Sequence, residues 1–97
     1  MLIVAKDFNE WVVWRQNIDA IINKAQNSHL TIILVTADAA TAKLHYPNLP
    51  ILRCDATVLK TAARVNPTLF FMQNASIVYK YSYRETNQIM QQILNWK

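Results

Sequence analysis

Two short uncharged β-branched runs, LIVA at 2–5 and TIILVT at 31–36, stand either side of a 21-residue stretch, DFNEWVVWRQNIDAIINKAQN, at 7–27. This spacing constrains the fold more than any other feature of the chain. Runs without charge read as strands buried on both faces. The stretch between them repeats apolar residues at intervals of three and four, at Trp11, Trp14, Ile18, Ile21 and Ala25, widened by Val12 and Ile22. That is one stripe of an amphipathic helix. Two strands joined by such a helix pair in parallel through a right-handed crossover, so the chain is committed to an α/β sheet. Asp7, with Glu10 three residues on, predicts the start of the helix.

The same alternation continues. A short helix is predicted from Asp38 through Leu44, broken by the two prolines of HYPNLP (45–50). ILRC (51–54) reads as a third strand, with Asp55 or Thr57 placed to cap a helix over VLKTAARV. Beyond Pro67, TLFFMQ (68–73) and IVYKYSY (77–83) read as an antiparallel pair turning at Asn74-Ala75. Alternation in the second of these predicts one buried face carrying Ile77, Tyr79, Tyr81 and Tyr83. A last helix from Thr86 is predicted to bury Ile89, Met90, Ile93 and Leu94. The order β-α-β-α-β-α-β-β-α gives a mixed five-stranded sheet with helices on both faces. Residues 1–97 make a single domain. Its first strand begins at residue 2, which suggests a domain cut from a longer chain.

Composition removes whole classes of function. Glycine is absent, which excludes glycine-rich phosphate loops and leaves Asn27, Asn48 and Asn74 as the expected left-handed turn positions. Ten Lys and Arg against six Asp and Glu make a mildly basic chain. The cations are spread along it, so no nucleic-acid partner is expected. Apolar runs of five residues (TIILV, TLFFM) are far too short for this domain to insert in a membrane. His29 and His45, isolated from each other and from Cys54, form no metal-ligand pattern and read as surface residues. No cofactor is implied. Cys54 is the one cysteine, so neither an intrachain disulfide nor a dithiol centre can form. It is expected to be buried and inert, with a thiol-dependent enzyme acting through Cys54 alone as the alternative.

The element order, together with a proline opening the penultimate strand, resembles the thioredoxin fold and its TlpA-like branch. The stretch CDATVLKTAARVNPTLFFMQNASIVYKYSY (54–83) is similar to the soluble C-terminal domain of bacterial DoxX-like membrane proteins. The similarity rests on Asp55, Thr57, Leu59, Lys60, Arg64, Asn66, Pro67, Lys80 and Tyr83, and departs at the turn, where NAS replaces a glycine. The resemblance implies a three-layer α/β/α fold. It also implies a cis bond before Pro67, with the main-chain N–H and C=O of Asn66 offered to an extended peptide. A Cys-x-x-Cys should open the first helix, yet neither WVVW (11–14), with Arg15 following, nor DFNE (7–10) contains cysteine. The resemblance therefore implies a redox-inactive domain rather than an enzyme. It would bind a protein segment, or another domain of its parent, through Pro67 as platform, Asn66 for backbone pairing, Trp11 for apolar contact and Arg15 for charge. The parent would hold it at the bacterial cytoplasmic membrane.

Overall fold

A computed structural model describes residues 1–63 and 65–96; Arg64, one of the motif positions, and Lys97 lie outside the described residues. The elements follow the predicted order: β1 (Leu2–Ala5), α1 (Trp11–Asn27), β2 (Ile33–Thr36), α2 (Ala39–His45), β3 (Ile51–Arg53), α3 (Ala56–Ala62), β4 (Thr68–Gln73), β5 (Ser76–Ser82) and α4 (Thr86–Asn95). The strands form one mixed sheet in the order β3-β2-β1-β4-β5. β1, β2 and β3 are parallel, with Val4 beside Val35 and Val35 beside Leu52. β4 runs antiparallel to β1 and to β5, so the hairpin lies next to the strand that leads into α1.

Right-handed crossovers from β1 to β2 and from β2 to β3 move outward in one direction, which puts α1 and α2 on the same face. α4 joins them there. Trp14, Ile18 and Ile21 of α1, Ala42 of α2, and Ile89 and Ile93 of α4 share a core with Ile3, Leu34, Leu69 and Phe71. The connection from β3 back to β4 crosses the other face, where Leu59 of α3 packs with Val4, Val35 and Phe70. Helices therefore flank both sides of the sheet, unequally.

Local expectations fail in physically instructive places. Asp7 does not cap α1. Its carboxylate accepts the N–H of Asn9 at 3.2 Å inside the loop, and the helix begins at Trp11 behind Glu10, whose side chain makes no capping bond. The added loop length lets Phe8 turn into the core beside Trp14. Asp38 and Asp55 do cap, accepting the N–H groups of Thr41 (3.2 Å) and Thr57 (2.8 Å). α3 stops at Ala62, three residues before the predicted end.

Left-handed backbone falls at His29 (φ 59°), Asn74 (φ 52°) and Ala75 (φ 67°). Asn27 is instead the last residue of α1, and His29 makes the turn after it. Leu94 is 57% exposed, because the face of α4 that meets the sheet runs through Ile89 and Ile93. In β5 the expected face is broken by a bulge. Phe71 lies opposite Tyr79 but Met72 lies opposite Ile77, so Val78 is extra. One inserted residue switches the face of everything beyond it. Ile77 thus joins Met72 and Phe70 on the α3 side and is 56% exposed, while Tyr81 and Tyr83 stay under α4.

Candidate binding surface at the carboxyl ends of the parallel strands

The three parallel strands end together, so the loops after β1, β2 and β3 and the segment before β4 meet at one edge. β2 leads to α2 on one face, and its neighbour β3 leads to α3 on the other. That divergence opens a crevice at the strand ends, the usual place for a ligand in an open α/β sheet. Two clefts lie there and share Ala37 and Ala56. One, of about 370 Å³, adds Lys6, Asp7, Asp38, Thr57 and Lys60. The other, of about 510 Å³, adds Arg53, Cys54 and Asp55. Small side chains line the shared part, and three cations and three carboxylates surround it.

Much of this charge is committed to structure. Asp38 accepts from the Thr41 hydroxyl at 2.7 Å and from its N–H at 3.2 Å. The Thr41 hydroxyl and N–H hold the Asp38 carboxyl below the ordinary aspartate range. Lys6 and Asp7 approach to 3.8 Å at a part-exposed position, where an ion pair contributes little. Cys54 is half-buried rather than buried. It lies between the end of β3, one residue earlier than predicted, and Asp55, the cap of α3. Its N–H donates to the carbonyl of Thr36 at 2.9 Å, so the backbone there belongs to the sheet edge.

The predicted site residues fall into two pairs. Asn66 and Pro67 precede β4, and the peptide bond between them is cis. The Pro67 ring is fully buried, and its carbonyl accepts the N–H of Tyr83 at 3.3 Å. The Asn66 side chain ties this segment to the loop after β1. Its Oδ1 accepts the N–H of Lys6 at 2.8 Å, and its Nδ2 donates to the carbonyl and carboxylate of Asp7 at 3.2 and 3.4 Å.

Trp11 and Arg15 form the second pair, one turn apart on α1, with the guanidinium 4.8 Å from the indole centroid. Trp11 also stacks on His45 at 3.7 Å and donates from Nε1 to the Tyr46 hydroxyl at 3.1 Å. The Tyr46 hydroxyl in turn donates to Asp19 at 2.9 Å. Burial keeps the Tyr46 phenol protonated well above the ordinary tyrosine range, and the Asp19 carboxylate adds to this. His45 is therefore part of a packed aromatic group, not a solvated surface residue.

Sequence reasoning missed the residues that stand most open at the start of α1. Val12 is 77% exposed and Val13 is 65% exposed. At 100° per residue, Val12 lies about 160° from Trp14 around the helix, nearly opposite the buried stripe. A strict helical wheel would have removed it from the core. The side-chain role of Asn66 had no comparable signal, because Lys6 and Asp7 are about 60 positions away.

Comparison of the chain with protein families, with curated proteins and with solved structures finds no match. The functional reading therefore rests on the chemistry of the site and on the sequence resemblance. Among the described residues, no group of three or more His, Cys, Asp or Glu is placed to hold a metal ion. Nor is any helix among them long and apolar enough to cross a membrane.

Proposed function

We propose that the chain is a redox-inactive, thioredoxin-like binding domain that takes a protein segment across the first turn of α1 and the adjoining strand ends. The observation that carries this reading is the open pair Val12 and Val13, which lie between Trp11 and Trp14, the positions where one register of the resemblance calls for thiols. Apolar side chains left bare beside a half-buried tryptophan suit a protein partner better than water. The order of elements and the hairpin beside β1 support the thioredoxin-like reading.

The similarity to DoxX-like domains leads us to propose further that the domain is the soluble appendage of such a membrane protein. Its motif residues have structural work in this chain: Asp55 caps α3, Leu59 is the buried residue of α3, and Asn66 clamps the loops. Lys80 closes the set by donating to the carbonyl of Ala62 at 2.9 Å.

The test is a peptide titration followed by amide NMR. Binding peptides should shift residues 11–15 first. The double variant Val12→Asp, Val13→Asp, which changes exposed positions alone, should weaken binding by at least about tenfold. A broad peptide library that leaves residues 11–15 unmoved would remove the proposal.

Cys54 supports a second reading, a thiol-dependent enzyme, because it lines the crevice half-exposed. Thiol trapping of the folded protein at neutral pH distinguishes the two. Reaction at close to the rate of the unfolded chain favours the enzyme; reaction after denaturation alone ends it.

A further inference from the structure

The outer face of α4 is built differently from an ordinary solvated helix. Asn87, Gln88, Gln91, Gln92 and Asn95 fall on one side of it, and with Tyr81 of β5 they line a groove of about 370 Å³. Among the described residues no charged side chain lines that groove, and α4 itself (TNQIMQQILN) carries none. Exposed helix faces are normally solvated by Lys, Glu and Arg. A face made of amides holds its solubility without charge and keeps both hydrogen-bond donors and acceptors free to turn. Among the described residues, Gln92 is the one amide of the five with a side-chain partner, accepting from the Tyr81 hydroxyl at 3.4 Å.

An aromatic wall accompanies the amides. Tyr81 is braced edge-on by Phe71, with ring centroids 5.8 Å apart. Tyr79 lies nearly parallel to it, at 6.2 Å and 18°, and continues the aromatic surface along β5. Lys80, between them in sequence, turns to the opposite face, over Phe70 and toward Ala62. The groove thus combines flat apolar rings with neutral groups that donate and accept.

From this we propose that the groove between α4 and β5 binds a neutral saccharide. Vicinal hydroxyls each donate and accept, which matches amides and wastes a carboxylate or an ammonium. The C–H face of a sugar ring packs on an aromatic plane. Amides four residues apart repeat about every 6 Å along the helix, comparable with the length of one pyranose ring. A phosphate-bearing ligand would need cations that the described lining lacks. This site is separate from the surface at the strand ends, and its fate is independent of the function proposed there.

The test is amide and side-chain NMR of the whole chain titrated with the neutral tetrasaccharides of cellulose, starch and chitin, with sorbitol as a hydroxyl control. At least one should shift Tyr79, Tyr81 and the α4 amides with a dissociation constant on the order of 1 mM or tighter. The double variant Gln88→Ala, Gln91→Ala, at exposed positions, should weaken it by about tenfold or more while leaving the spectrum of the core unchanged. The proposal is overturned if all three sugars leave the groove unmoved at roughly 10 mM. Equal shifts with sorbitol, or an unchanged affinity in the double variant, also overturn it.

Discussion

Asn66 shows how one side chain can decide the geometry of a site. It satisfies the N–H of Lys6 and donates twice to Asp7, joining the segment before β4 to the loop after β1. Asn66→Ala should cost about 1–3 kcal/mol, because a part-buried N–H is left without its acceptor. Asn66→Asp should cost more, although it keeps an acceptor for Lys6, since it sets a second carboxylate against the carbonyl and carboxylate of Asp7. Chemical denaturation of the two variants checks the order; equal stability would mean that Nδ2 contributes nothing. Ala75 makes the opposite case. Its φ of 67° places a Cβ where glycine is normally found. Ala75→Gly should therefore stabilise the fold by about 1 kcal/mol, read as a raised denaturation midpoint. The tight turn at 74–75 was legible in the sequence, and so was its lack of glycine. The clamp was not, because its partners meet through the fold alone.

At the scale of elements, the two faces of the sheet are unequally covered. α1 has 17 residues and buries five of them, whereas α3 has seven and buries Leu59. Short helices owe their stability to packing and to their caps. α3 has one buried anchor, the Asp55 cap and the bond from Lys80 to its last turn. Native-state hydrogen exchange should find the α3 amides opening at least about tenfold more readily than those in the middle of α1. Equal protection along both helices would show that α3 unfolds with the whole domain. The type and order of every element could be read from the sequence, since each rests on local periodicity and on caps such as Asp38 and Asp55. Element ends were read less well. α1 starts later than Asp7 suggests, because burying Phe8 takes precedence over an early cap.

For the whole molecule, the sheet order β3-β2-β1-β4-β5 places three parallel strand ends at one edge and leaves β3 and β5 at the sides. The first arrangement creates the crevice that holds Cys54 and the clefts around Ala37 and Ala56. The second leaves β5 open, with its Tyr79 and Tyr81 beside the amides of α4. Two candidate surfaces of different chemistry therefore lie on one small domain. The surface at the strand ends is apolar at Val12 and Val13 and mixed in charge nearby. The groove along α4, among the described residues, is neutral and rich in amides.

The sequence by itself determined the α/β class, the order of nine elements, the hairpin and the absence of a dithiol, because these depend on residue spacing and on residue type. The resemblance, rather than spacing, marked Asn66 and Pro67, Trp11 and Arg15 as residues to follow. Tertiary structure alone decided which of them meet. Trp11 pairs with His45 and Tyr46, and Asn66 acts through its side chain. The bulge at Val78 turned Ile77 away from the tyrosines, and the sheet order set the amides of α4 beside them. The physical reason is common to all of these. Local patterns report how a segment buries its own face, whereas a site is made where segments far apart in sequence are brought within a few ångströms by the packing of the whole.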